Sequence, residues 1–366
     1  MIKAYTAEKI FTGHDWLKDH ALIVEQNRII DLLPKTQLTP GISVTDFKNN
    51  FLAPAFIDLQ IYGAAGKLLA VYPEPESLTA LYDHCIKNGT MLFLPTVATN
   101  KKEIFFKCID AVRSYWKQGG KGVAGLHIEG PWISKEKRGA HIESLIHAPS
   151  FGEVEELLIY GKDVIRMITL APEVCSQQVI ESILAHNITI SSGHSNAKYR
   201  EAMKSFDSGI TAVTHLFNAM SGLHHREPGL VGATFDHQKV MASIIADGHH
   251  VDFNAIRIAK KMMGERLFAI TDAVTETNEG YYQHQPAGDK YEAAGILSGS
   301  ALTMLTTLQN LVNKVGIELK EALKMCSLYP ARVLNIDDQF GRLSKGFQAE
   351  IVVLNNSLEL IQTITS

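Results

Sequence analysis

A glutamate and two histidines stand where three apolar stretches give way to turns. Glu129 precedes Gly130-Pro131 in LHIEGPWIS (126–134), His194 follows Gly193 in SSGHSNA (191–197), and His215 follows Thr214 in VTHLFNAM (213–220). Singly, each has a plain alternative: a helix-capping carboxylate or a satisfied core imidazole. Together, one carboxylate and two imidazoles from three strand ends form a His₂Glu set, a known ligand set of catalytic zinc that leaves a position for water. The same ligands suit Fe, Mn or Co. Bound Zn²⁺ brings the pKa of water down to about 7. Asp272, in FAITDAV (268–274), ends another apolar run. A carboxylate there is costly to bury unpaired, and beside a metal it is placed to take a proton from water. Its plain alternative is a helix N-cap.

Around these lie further polar groups. His141 sits in KRGAHIES (137–144). The stretch NAMSGLHHREPGLVGA (218–233) reads as a polar loop carrying His224, His225 and Arg226 side by side. The forked donors of a guanidinium match phosphate oxygens, although a solvated basic loop is the commoner outcome for such a run. IADGHHVD (245–252) places Asp247, His249 and His250 beyond an apolar strand, with one histidine expected to face a pocket. The chain holds 15 histidines, 11 of them from His127 to His250.

These residues need elements to hold them. Eight apolar, β-rich stretches alternate with helical patterns: 51–61, 89–97, 123–130, 164–172, 188–194, 210–217, 240–248 and 267–274. Eight such strands predict an α/β fold, a (β/α)₈ TIM barrel whose strand C-termini carry the site. Those ends hold Asp58 and Gln60, then Glu129, His194, His215, Asp247 with His250, and Asp272. A doubly wound sheet is the alternative, but neither glycine-rich phosphate signature occurs. Residues 1–50 and the stretch GRLSKGFQAEIVVLN read as short strands with polar turns. The two termini are expected to pair into one small β-sandwich (1–50 and 336–366) beside a barrel over 51–335.

With 366 residues, 35 Lys plus Arg against 39 Asp plus Glu, and a formal charge of −4, the chain lacks a nucleic-acid footprint. No run reaches the ~18 apolar residues of a membrane span, and the N-terminus does not read as a signal peptide. Cys85, Cys108, Cys175 and Cys326 are scattered, so a reduced, cytoplasmic setting is expected.

Taken together, PAFIDLQIYG, LHIEGPWIS, KRGAH, SSGHSNA, THLFNAMSGLHHREPGLVGA, IADGHHVD, ITDA and LSGSALTM resemble the N-acetylglucosamine-6-phosphate deacetylases of the amidohydrolase superfamily. The resemblance runs from about residue 50 to 335. It implies a distorted barrel with a small β domain built from both termini, and one divalent metal per subunit, Zn²⁺ foremost, on Glu129, His194 and His215. Asp272 becomes the general base and then acid, and His141 polarises the acetamide carbonyl. Ala140, His141, Asn218, Ala219, Arg226, Asp247, His250, Leu297, Ser298 and Gly299 line the substrate, with Arg226 and His250 on the phosphate. A homo-oligomer, dimer or tetramer, is implied, with Arg226 or His250 contributing across its interface.

Two departures stand out. Many amidohydrolases carry His-x-His after the first strand, and single-metal members of this family resemble Gln-x-Asn there. This chain has Gln60-Ile61-Tyr62. The sequence also stops at LIQTITS, so the small domain is expected to be trimmed. Rival functions are deacetylation of another sugar phosphate such as N-acetylgalactosamine 6-phosphate, another amide hydrolysis, or a sugar-phosphate sensor on an inert barrel.

Overall fold

The structure, a computed structural model, describes residues 2–365. Contacts divide the chain into two compact units, one running through Asp58, Cys85–Leu92 and from Thr303 on, the other taking Leu59–His84 and Phe93–Leu302.

In the first unit both ends of the chain build one sheet. Its five strands lie in the order Leu360–Ile364, Ile351–Leu354, Phe51–Pro54, Lys9–Phe11, Trp16–Lys18. Ile351 pairs with Pro54 and Leu354 with Phe51. The strand expected to be cut short forms, pairing Ile364 with Ile351. A second sheet holds Arg28–Pro34, His20–Glu25, Ile2–Thr6 and Ser43–Asp46. Ile10, Leu22, Ile29, Leu52, Ile351 and Val353 share one buried core, which is how two amphipathic sheets hide their apolar faces. HALIVEQNRIIDLLP is a hairpin because Gln26 and Asn27 turn it with φ of 45° and 66°.

Eight further strands form one sheet, all in the second unit except the starts of the first two: β1 (Phe56–Ile61), β2 (Thr90–Ala98), β3 (Leu126–Glu129), β4 (Ile165–Leu170), β5 (Thr189–Ser192), β6 (Ala212–Val213), β7 (Met241–Ile245) and β8 (Leu267–Ile270). They neighbour one another in chain order, and β2 to β8 pair in parallel. A parallel bridge from Ile61 to Ala273 brings the first strand against the segment after the last, nearly closing a (β/α)₈ barrel. The strands read as continuous apolar runs because helices such as Lys102–Lys117, Gln177–Ala185 and Phe253–Met263 follow them in sequence and cover a parallel sheet's outer face.

Three expectations need correction. The run 51–61 is two strands in different sheets, broken at Ala55. The strand at 210–217 shrinks to Ala212–Val213, since the chain turns sharply at His215. The polar loop at 218–233 ends early: Gly229–Asp236 is a helix whose first seven residues are all buried. A helix buried all round shows no apolar stripe, so periodicity gave no sign of it. Among the described residues no helix is long and apolar enough to cross a membrane, and all four cysteines are free.

Candidate active site and metal centre

Glu129 is the last residue of β3, while His194, His215 and Asp272 each lie two residues past the ends of β5, β6 and β8. The last three have left-handed backbones, with φ of 47°, 35° and 54°. Such conformations disfavour side chains with a Cβ and persist only where the surroundings enforce them. Here hydrogen bonds enforce them: His194 O accepts from Ser134 N at 2.8 Å, His215 N donates to Ser243 Oγ at 2.7 Å, and Asp272 N donates to Gln60 O at 2.9 Å. Gly193 is required before His194, because a Cβ there would sit 2.8 Å from both Thr169 Cγ2 and Thr214 Cβ.

The side chains converge. His215 Nε2 lies 3.1 Å from Glu129 Oε1 and 3.1 Å from His194 Nε2, which is itself 3.3 Å from Glu129 Oε1. His141 Nε2 reaches the other carboxylate oxygen, Oε2, at 3.3 Å. Glu129, His141 and His194 all offer ligand atoms within 4.8 Å of one another. All four residues are buried, Glu129 at 1% exposure. Burial pushes the Glu129 carboxyl up, but the three imidazoles outweigh it and hold the group well below its usual range. Burial in turn lowers His141 to about 4 and lowers His215, so both are neutral at pH 7.

The donor set fits a divalent cation. His194 Nδ1 is 2.9 Å from the carbonyl of Lys137, which can only accept, so its proton is there and its lone pair is on Nε2. That lone pair faces His215 Nε2 beside an ionised carboxylate, an arrangement a cation resolves. His141 differs. Its Nδ1 is 2.6 Å from Thr99 Oγ1 and its Nε2 faces Glu129 Oε2, so it suits donation from Nε2.

Asp272 Oδ1 accepts from Gln60 Nε2 at 2.7 Å and lies 3.2 Å from Tyr62 Oη. Gln60 Nε2 also lies 3.0 Å from Glu129 Oε1 and 2.8 Å from Tyr62 Oη. Tyr62 Oη donates to Glu129 Oε2 at 2.5 Å. Burial and then the charges of Asp272 and Glu129 raise the phenol well above its usual range, so it keeps its proton.

Glu129, His141, His194, His215, Tyr62 and Asp272 line one cavity of about 220 Å³. Ala140, Asn218, Ala219, His250, Leu297, Ser298 and Gly299 are on its wall, with the proposed ligands, His141 and Asp272. Asp247 stands behind the wall: its carboxylate accepts from the amides of His249 and His250 at 2.8 Å and from His250 Nδ1 at 2.6 Å. Burial works against that charge, but the His250 contacts prevail and keep Asp247 below its usual range. Arg226 is not brought in; it is exposed on its loop beside the tilted His224 and His225 rings. His249 turns outward to pair with Asp289 at 2.7 Å, and Asp58 is buried within β1.

Sequence reasoning gave Gln60 and Tyr62 no positive role and passed over Thr99, Tyr282 and His284. Gln60 was visible as a polar strand-end residue, and with Tyr62 as the place where two metal ligands are lacking. Tyr282 and His284 precede a small three-stranded sheet over Gln285–Pro286, Lys290–Ala293 and Ile296–Ser300, whose strands are too short to announce themselves.

The chain and its fold have counterparts. Residues 51–366 match the model of the Amidohydrolase family, and residues 4–52 match the NagA composite domain. The chain belongs to the amidohydrolase family. Within it, the chain is 34% identical to the N-acetylglucosamine-6-phosphate deacetylase of Haemophilus influenzae, over 98% of this chain and 96% of that protein. It is 31% identical to an N-acetylgalactosamine-6-phosphate deacetylase of Escherichia coli O157:H7, over 99% and 97%. Among solved structures of this amidohydrolase group, the N-acetylglucosamine-6-phosphate deacetylase of Pasteurella multocida superposes with a TM-score of 0.95 at 33% identity, covering 100% of this chain and 98% of that one.

Proposed function

We propose that this amidohydrolase cleaves the acetamide of N-acetyl-D-glucosamine 6-phosphate, giving D-glucosamine 6-phosphate and acetate in amino-sugar catabolism. One observation carries the reading: Asp272 and the Glu129–His194–His215 cluster share a single cavity wall, a proton acceptor beside a cation-ready donor set. The full-length similarity to deacetylases named for this substrate supports the choice of amide.

Glu129, His194 and His215 hold one divalent ion, Zn²⁺ in this reading. When bound, that ion supplies Lewis-acid chemistry to water and to a carbonyl oxygen. Asp272 takes one proton from the attacking water. Its position is set by Gln60 Nε2 on Oδ1. His141, neutral and with Nδ1 held by Thr99, donates from Nε2 to the acetamide oxygen as charge builds there. Asp272 then returns its proton to the departing nitrogen as the C–N bond breaks, and acetate leaves with the water's oxygen. Asn218, Ala219, Ala140 and Leu297–Gly299 hold the sugar. His250 and Arg226 bind the phosphate, with the exposed Arg226 loop contributing across the interface of a homo-oligomer.

The test is acetate release from N-acetylglucosamine 6-phosphate beside its unphosphorylated form. Turnover that favours the phosphorylated sugar supports the reading, and no acetate from either sinks it. The Escherichia coli relative favours a second reading, the galacto epimer, which a parallel assay with N-acetylgalactosamine 6-phosphate decides.

A further inference from the structure

We propose that Tyr62 is a positioning residue for the deacetylation, acting through both active-site carboxylates. The inference rests on the function proposed above. It goes beyond that function in giving a role to a side chain the proposed mechanism does not use.

The two oxygens of Glu129 face different ways. Oε1 is turned to His194 Nε2 and His215 Nε2, at 3.3 and 3.1 Å. Oε2 is turned to Tyr62 Oη and His141 Nε2, at 2.5 and 3.3 Å. The phenol thus ties down the oxygen directed away from the paired imidazoles and leaves Oε1 for the cation. The same hydroxyl lies 3.2 Å from Asp272 Oδ1. It also lies 2.8 Å from Gln60 Nε2. Gln60 supplies two N–H hydrogens and Tyr62 one O–H. Those three hydrogens stand between two carboxylates that otherwise repel each other. With Gln60 Nε2 donating to Tyr62 Oη, the phenol proton goes to the nearer carboxylate, Glu129.

The ring is fixed independently of its hydroxyl. It packs with Val71 and Ile142 against the buried cluster of Leu68, Ala98 and Tyr282. A phenylalanine keeps that packing and removes only the hydrogen bonds. Groups that orient a metal-ligating carboxylate are worth about 10–100-fold in metal affinity or activity when lost.

The experiment compares wild type with Tyr62→Phe in three measurements: zinc affinity by chelator competition on the purified protein, kcat and KM for acetate release, and thermal midpoint. The expected result is a zinc affinity and a kcat each lower by about 10–100-fold, with KM within about threefold and the protein folded. A Tyr62→Phe protein that is folded and keeps both wild-type zinc affinity and wild-type kcat overturns the proposal. So does a loss confined to KM, which assigns Tyr62 to substrate binding instead. If wild type itself releases no acetate, the proposed function fails, while the zinc measurement still decides whether Tyr62 positions Glu129.

Discussion

His194 Nε2 and His215 Nε2 lie 3.1 Å apart, both beside Glu129 Oε1. The carbonyl of Lys137 fixes the His194 proton on Nδ1, so this close approach brings a lone pair against a second imidazole nitrogen. His215 can bridge that gap with a proton on Nε2, whereas a divalent cation would use both lone pairs and the carboxylate together, with consequences for stability as well as turnover.

Metal removal is therefore expected to lower the thermal midpoint and abolish acetate release. Added Zn²⁺ restores both. A ligand at a hundred times its Kd stabilises the folded state by about 2.7 kcal/mol. Thermal denaturation with chelator and then across a zinc series checks this. A midpoint indifferent to both argues against a metal centre.

Asp272→Asn keeps an oxygen for Gln60 Nε2 but cannot take a proton. We expect kcat to fall by about 10²–10⁴-fold, the usual span of general acid–base contributions. Zinc content by elemental analysis stays at the wild-type level, since Asp272 is not among the proposed ligands. Near-normal turnover in this variant assigns the base elsewhere.

Asp247 is not on the cavity wall yet holds His250 through two hydrogen bonds, from its amide and from Nδ1, and accepts a third from the amide of His249. Asp247→Asn replaces the oxygen that accepts from His250 Nδ1 with an N–H group, turning an attraction into a clash of donors. A hydrogen bond involving a charged group is worth about 1.5–3 kcal/mol, so kcat/KM for the phosphorylated sugar falls roughly 10–100-fold. The unphosphorylated sugar, which has no use for His250 in this reading, changes little. Equal losses on both substrates count against a phosphate contact.

His284 is 4% exposed, and burial lowers its imidazole to about 4. Unfolded, it titrates near 6.5. Below that value the unfolded chain binds a proton that the folded chain refuses, so stability is lost as pH falls from about 6.5 towards 4. His284→Phe removes this linkage and shallows the dependence across that window. Denaturant midpoints at a series of pH values measure it, and identical slopes in the two proteins rule the contribution out.

Residue type and spacing made part of this molecule legible. A parallel strand is buried on both faces, so β3, β4, β7 and β8 read as apolar runs, and at β3, β7 and β8 a polar residue at or just past the strand end marks the barrel mouth. Glu129, His194, His215 and Asp272 were recognisable as a set at or just past four strand ends, although singly each had a plain alternative. The two ends do share one sheet, but through Phe51–Pro54, a stretch expected to open the barrel, with Ile351 paired to Pro54. The helix at Gly229–Asp236 was hidden, because burial on every side erases the periodicity that reveals a helix. Distances between side chains some 70 to 210 positions apart belong to the tertiary structure alone. It brought Gln60 to Asp272 and Tyr62 to Glu129, left Arg226 outside the cavity and put Asp247 behind His250. The sequence names the groups able to bind a cation or move a proton. Which oxygen of Glu129 faces the imidazoles, and which a phenol holds, is decided by left-handed turns at three strand ends and by packing around Tyr62. Neither leaves a pattern in the order of residues.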